Sequence, residues 1–429
     1  MNTETRAAGI GLAFPDILLP AEGVDISRWA VIACDQFTSE PGYWREVERH
    51  VGDAASTLHL IIPEADLESI NLAERAAQIS STMEQYLGDG TLRSVERSMV
   101  LVRRSLGDGT ERHGIVAAVD LEEYDFSPES TSLIRASEET IPARLPARMD
   151  IRRDAALESP HVLVLYDDPE SRVLSAVRDA GGMDEQLYTA ELMQGGGHVA
   201  GFRLAADSEA GSAAIDALAG LPTREQYGFR FATGDGNHSL AAAKALWEEA
   251  RAAGAADNDP RRWCLVELVN VHDPGMPFHP IHRLVDGSEH ELLDELLRHS
   301  DARFHGFPLD RIAGHIAYEG LSRREIAFVG PKQAGVLTLP EGGALPVAVA
   351  DEVIARVETA SIDYVHGFEE VVTLSEGRDA VAVVLPEIDR SGLFAGIHHG
   401  GALPRKAFSL GEARDKRYYL ECRALRRPD

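Results

Sequence analysis

A chain of 429 residues, 44% apolar and 26% charged, has the composition of an ordinary globular protein and room for two domains or one large elaborated one. Lysine and arginine number 42 against 70 aspartates and glutamates, a formal charge of −28, which disfavours nucleic acid or an anionic membrane surface as partner. No run approaches 18 apolar residues, so no membrane span is expected, and Cys34, Cys264 and Cys422 form no C-x-x-C pair, which disfavours a disulfide framework or thiolate zinc site and fits a reducing cytoplasm.

Near the start, residues 29–34 (WAVIAC) read as a buried strand, with Asp35 just past its end, a common place for a functional side chain in α/β proteins. A helix is expected over 43–51, a strand over 58–62 (LHLII) and a long helix over 67–87. Residues 98–104 and 114–121 are β-prone and separated by a glycine-containing turn, which predicts a hairpin. The pattern then dissolves over 126–160 into a long loop whose Arg135, Arg144, Arg148, Arg152 and Arg153 outnumber its acids from Thr131 to Arg153.

Residues 161–166 read as a strand followed by a helix to about 179, residues 187–204 as two strands joined at Gly195 to Gly197, and 208–218 as a helix. A clear strand spans 262–271, and 272–285 reads as a loop returning to a short strand. Helices over 290–297 and 349–357 and strands over 326–329, 336–339 and 380–385 complete the series. The tail from Leu403 is a second basic island: Arg405, Lys406, Arg414, Lys416, Arg417, Arg423, Arg426 and Arg427 face four acids. Strands that alternate with helices and also pair locally predict a mixed α/β (α+β) fold. Three regions are expected: 1–125, 126–285 and 286–429.

The stretch 229–249, FRFATGDGNHSLAAAKALWEE, organises this reading. It passes from β-prone residues through Gly234 and Gly236 into an alanine-rich run, which predicts strand, tight turn and helix, with Asn237 or Ser239 as a side-chain cap. A helix start offers unengaged N–H groups and partial positive charge, an anion site. Asp235 beside a bound phosphate repels it unless the carboxylate holds Mg²⁺ or takes a proton from an attacking hydroxyl. His238 can touch the phosphate or orient the aspartate. A capped structural turn with a solvated aspartate is the alternative.

Several motifs, in order, resemble the family called domain of unknown function 1015 over most of the chain, from VIACDQF to LPRKAFSLGEARDKRYYLE. TGDGNHSLAAA stands where that family has A-D-G-H-H-R, Ser137-Glu138-Glu139-Thr140 where it has H-E-x-T, and Pro280-Ile281-His282-Arg283 where it has P-x-H-R. Asp363, Tyr364, His366 and Gly367 in SIDYVHG match a further motif. The D-G-H-H-R element is in turn similar to one in the ParB and sulfiredoxin-like group, which includes kinases of free serine. The resemblance implies a ParB/sulfiredoxin-like nucleotide-binding core elaborated by further strands and helices, with ATP or ADP, or another nucleoside triphosphate, and Mg²⁺ at Asp235. It also implies phosphoryl transfer to a small hydroxyl metabolite. Gly234, Gly236, Asn237 and Ser239 are expected to cradle phosphate, and Glu138 to be the base beside Asp235 and His238. Arg144, Arg148, His282, Arg283 and Lys406 are expected to contact the phosphates, with Asp35, Tyr364 and His366 toward substrate.

Asn237 and Ser239 replace a histidine and the arginine of the family motif, so the phosphate charge must be met from elsewhere. That departure leaves a nucleotide-responsive binding protein without turnover as the alternative. A metal-dependent hydrolase is the other, on His272, Asp273, His279 and His282 within HDPGMPFHPIH together with Asp235 and His238. GDGNHS lacks the third glycine of a dinucleotide fingerprint, and no Walker-type loop is present.

Overall fold

Long runs of β-prone apolar residues build the largest of the sheets. The computed structural model describes residues 1–38, 40–67, 70–159, 161–341, 343–357, 361–376, 380–404 and 406–426, apart from the side chains of Pro41, Arg144 and Ala147. The first sheet uses β1 (Leu12–Ala13), β2 (Ser98–Ser105), β3 (Glu111–Asp120), β4 (Tyr124–Asp125) and β5 (Ile134–Arg135). It is completed by β6 (Leu163–Tyr166), β7 (Gln186–Glu191), β8 (His198–Ala205), β9 (Phe231–Asp235) and β10 (Trp263–Asn270). The order is β7-β8-β2-β3-β10-β6-β9-β5-β4, with β1 on β3. β6 and β10 run parallel, as do β9, β5 and β4; β9 runs antiparallel to β6.

Period two sends neighbouring side chains to opposite faces. Met99, Leu101, Ile115 and Ala117 join one apolar cluster, and Val100, Val102 and Val116 join another. Both faces are therefore covered, which is why β2 and β3 read as nearly continuous hydrophobic runs.

The chain forms two compact units: Met1–Met276 with Gly411–Asp429, and Pro277–Leu410. This division differs from the three regions expected, because β3 of the first region pairs with β10 of the second along seven residues. The second unit holds a wholly antiparallel sheet of β11 (Phe278–Asp286), β12 (Arg303–Phe307), β13 (Glu325–Val329), β14 (Ala334–Thr338), β15 (Ser361–His366), β16 (Ala380–Val384) and β17 (Phe408–Leu410). Its order is β12-β14-β13-β16-β11-β15, with β17 on β11.

The mixed α/β fold is as expected, but several elements are not. Residues 29–34 are no long strand: Trp29 ends the short helix Ile26–Trp29, and only Val31 and Ile32 pair, with Tyr419 and Tyr418. Residues 58–62 are likewise no strand, because Ser56 caps a 3₁₀ turn over Thr57–Leu60. The long helix begins at Leu72, where Asn71 caps it. Within the expected loop at 126–160, a helix covers Leu145–Arg153. Prolines at 142 and 146 disguise it in the sequence, although proline is tolerated in a first turn. β11 starts at Phe278, and β12, β15 and the helices Leu309–Glu319, Phe368–Glu376 and Leu393–Gly400 were not anticipated.

The tail carries the charges that neutralise the interior of the first unit. Arg417 pairs through Nη1 with Glu267 and at 2.6 Å through Nη2 with Glu421, whose other oxygen accepts from Tyr188. Arg423 reaches Glu158 at 2.6 Å, and Arg152 meets the same carboxylate from the other side. Burial opposes the charge on Arg417 but the two carboxylates outweigh it, so its pKa is raised; Glu158 is held low by Arg423 and Arg152 despite its own burial.

Candidate functional site

The central stretch folds as the sequence indicates, with β9 passing through a tight turn into the helix Asn237–Ala252. The cap is different: Gly236, at φ 77°, is the N-cap, and neither Asn237 nor Ser239 caps by side chain. A Cβ on Gly236 would lie 3.0 Å from Val162 Cγ2 and 3.1 Å from Val162 Cα, so the turn needs glycine for backbone sign and for room. Asn237 turns inward, its Oδ1 accepting from the Thr233 hydroxyl, which ties the helix start to its strand. At the helix start the Ser239 amide donates to the Gly236 carbonyl at 2.9 Å and the Leu240 amide to the same oxygen at 3.1 Å.

The structure brings the Ser137–Thr140 segment to this turn. Ser137 N–H donates to Thr233 Oγ1 at 3.2 Å, and Ile141 N–H donates to His238 Nε2 at 3.1 Å. Half-buried Glu138 is thus bracketed by two bonds to the 233–238 segment, and His238, accepting at Nε2, holds its ring proton on Nδ1 when neutral. Ser137 Oγ and Thr140 Oγ1 are buried without a hydrogen-bond partner among the described residues. Orphaned buried hydroxyls are uncommon and mark a place where water or a ligand completes the network.

Asp235 faces the tail. Its Oδ2 lies 3.2 Å from Lys416 Nζ, and its Oδ1 accepts the Gly236 amide at 2.9 Å. Burial pushes this carboxyl up, but Lys416, His161 and the amide prevail and its pKa is lowered. Beside it is a cavity of about 210 Å³, with walls that include Ile61, Ile151 and Val162 and polar edges from Asp35, Arg148, His161 and Ser239. His161 Nδ1 is 2.7 Å from the Tyr419 hydroxyl, which also lies 3.1 Å from Cys34 Sγ. Burial lifts the Cys34 thiol to about 12, so it is no nucleophile at neutral pH. Arg148 pairs with Glu64 at the cavity edge.

The donor set does not fit a magnesium site. Mg²⁺ is held by one or two carboxylates with phosphate and water, whereas Asp235 is a single carboxylate whose outer oxygen already faces an ammonium. Among the described residues no three His, Cys, Asp or Glu side chains gather as a metal cluster. The histidine-rich loop is also divided: His272 pairs with Asp167 at 2.7 Å and Asp273 accepts the His113 amide in the first unit, while His279 and His282 lie on β11 of the second.

The other expected site residues belong to the second unit. Arg283 is fully buried, with Nε 2.7 Å and Nη2 2.8 Å from Asp351 and Nη1 donating to the Ile281 and Lys406 carbonyls. A phosphate contact there would require breaking the Asp351 pair. The Tyr364 ring centroid lies 4.8 Å from the Arg283 guanidinium and 5.1 Å from Lys406 Nζ. His366 is exposed on β15 opposite Ile281. His282 is buried and its Nδ1 accepts the Leu385 amide at 3.1 Å. The side chain of Arg144, and Arg405 and Arg427 altogether, lie outside the described residues.

Burial, with Arg283 and His366 adding repulsion, lowers His282 from 6.5 to about 4. A histidine depressed on folding is protonated first in the unfolded chain, so its contribution is complete above pH 6.5 and fades as pH falls through 4. The cost of acidifying from pH 7 to 4.5 should be about 2 kcal/mol smaller in His282→Asn than in the wild type. Urea midpoints at the two pH values measure it, and equal losses would refute the assignment.

Sequence reasoning missed His161, Tyr419 and Thr233, and noticed Lys416 only as one charge of the basic tail. A family model described as "Protein of unknown function (DUF1015)" matches residues 13–365. The chain belongs to this family. No curated protein matches this DUF1015 chain. Among solved structures it is similar to a free serine kinase in complex with AMP, at 10% identity and TM-score 0.38, covering 72% of this chain and 92% of that one. A conserved hypothetical protein from Pyrococcus furiosus is 9% identical, with TM-score 0.37 and coverage of 72% and 95%. SbnI from Staphylococcus aureus with a C-terminal truncation is 13% identical, with TM-score 0.37 and coverage of 69% and 82%. No helix among the described residues is long and apolar enough to cross a membrane, and all three cysteines are free.

Proposed function

We propose that this protein binds an adenine nucleotide at the turn Gly234 to Ser239 and transfers a phosphoryl group to a small hydroxyl metabolite in the cytoplasm, with free serine the first acceptor to test. The observation that carries the reading is convergence on one turn. The positive end of the helix Asn237–Ala252, Glu138, the Asp235–Lys416 pair and the buried hydroxyls of Ser137 and Thr140 meet there, beside a cavity edged by Arg148 and His161. In the proposed step the acceptor hydroxyl gives its proton to Glu138, its oxygen bonds to the γ-phosphorus, and the bond to the β-phosphate oxygen breaks to release the diphosphate. Lys416 and Arg148 balance the charge on the transferred group, Asp235 keeps Lys416 in place, and His238 fixes the Ile141 end of the segment that carries Glu138. Arg144 remains a proposed phosphate contact and Asp35 a proposed substrate contact.

The salt-bridged state of Asp235 favours a second reading, a nucleotide-responsive binding protein without turnover. One experiment separates them. Thermal shift with ATP, ADP and CTP, with and without Mg²⁺, should show stabilisation of the wild type and none of Gly236→Val, which strains and fills the turn. Phosphorus NMR with serine then reports transfer. Stabilisation without transfer leaves the binding reading, and no stabilisation by any nucleotide removes both.

A further inference from the structure

A second cavity, of about 320 Å³, opens at the other end of β6. Asp235 pairs with Leu163 at the start of that strand, whereas Tyr166 at its end lines the second cavity. The strand between them is roughly 10 Å long. Tyr166 lies opposite Asn270 across the parallel β6–β10 pair, and both line the cavity. The carboxyl ends of parallel strands are where open α/β sheets leave room for ligands.

The floor of this cavity is apolar: Leu101 and Ile115 rise from β2 and β3, and Val173 and Val177 descend from the helix Arg172–Asp179. Charges of both signs stand around it. Arg178 Nη2 donates to His113 Nε2 at 3.0 Å, which holds the guanidinium of an otherwise exposed arginine against the wall. Asp273, 7% exposed, accepts the His113 amide at 3.0 Å and lies 3.8 Å from the ring Nδ1. Glu111 adds a second carboxylate 3.9 Å from His113 Nε2. Ser171 at the edge, the N-cap of the helix Arg172–Asp179, holds a left-handed backbone, φ 52°.

The geometry points to a binding site for a free α-amino acid with a mid-sized apolar side chain, leucine being the type. Arg178 takes the carboxylate, Glu111 and Asp273 take the ammonium, and the side chain lies on the Leu101, Ile115, Val173 and Val177 floor. The volume is at the small end of ligand cavities, as a single amino acid requires. A phosphorylated ligand is disfavoured by two carboxylates, and a purely apolar one would strip water from charges it cannot pair. This site is independent of the proposed phosphoryl transfer.

Calorimetric titration of the full chain with L-leucine tests it, alongside leucinamide, which lacks the carboxylate, 4-methylpentanoate, which lacks the ammonium, and glycine, which lacks the side chain. Saturable binding of one leucine per chain is expected, with each comparison compound weaker by about tenfold or more, the size of a lost charge-assisted bond. Arg178→Met should weaken leucine by a similar factor without further weakening leucinamide, and Leu174→Trp, which fills the cavity, should remove binding in a chain with wild-type circular dichroism. The nucleotide-induced thermal shift should be unchanged in Arg178→Met. Absence of saturable leucine binding, equal binding of leucinamide, or indifference to Arg178→Met would overturn the assignment.

Discussion

Arg417→Met is expected to lower stability by about 3–5 kcal/mol, because it leaves Glu267 and Glu421 buried side by side with no cation between them. Each carboxylate is at most 2% exposed and Tyr188 bonds the second of them, so neither can turn to solvent without unpacking the sheet. Domains of this kind are stable by about 5–15 kcal/mol, so the loss is a large share of the total. Urea unfolding followed by tryptophan fluorescence measures it. A loss below about 1 kcal/mol would mean that the carboxylates find protons or water, and the account of this interior would be wrong. Replacing Arg417, Glu267 and Glu421 together by apolar residues should recover much of the loss, since the cost lies in the uncompensated charge and not in missing attraction.

Glu138→Gln is expected to lower phosphoryl transfer by about a hundredfold or more, the usual contribution of a positioned base, while nucleotide binding stays within a few-fold of the wild type. The glutamine keeps the shape of the half-buried side chain, and the backbone bonds from Ser137 and Ile141 that position the segment do not depend on it. Asp235→Asn should behave differently. It removes the carboxylate opposite Lys416 and so frees that ammonium for phosphate, tightening nucleotide binding even as transfer falls. Single-turnover transfer to serine and nucleotide titration of both variants provide the comparison. Undiminished transfer in Glu138→Gln would remove this residue as the base.

The central turn was legible because local chemistry specifies it: Phe231 and Ala232 enter a sheet buried on both faces, Gly236 alone tolerates the turn, and an unbroken alanine-rich run must be helix. The hairpin of β2 and β3 was legible for the same reason. Residues 29–34 and 58–62 misled because a short apolar run reports burial and not secondary structure. Trp29 and Leu58 are buried, yet both sit in helical turns fixed by Asp25 and Ser56 caps. The meeting of Glu138 with the Asp235 turn came through family motifs, since nothing local sets a contact across about a hundred residues. Lys416 and Tyr419 were out of reach for that reason, their partners Asp235 and His161 lying far upstream.

The return of the tail to the first unit has a consequence for synthesis. Glu267, Glu158 and Asp235 leave the ribosome well before Arg417, Arg423 and Lys416, with the whole 277–410 unit translated in between. At about 5–20 residues per second that interval is roughly ten seconds. A nascent chain therefore carries Glu267 and Asp235 without the tail cations that pair with them and Glu158 with Arg152 alone, and the sheet meant to enclose them stays open to water and to chaperones until the closing segment emerges.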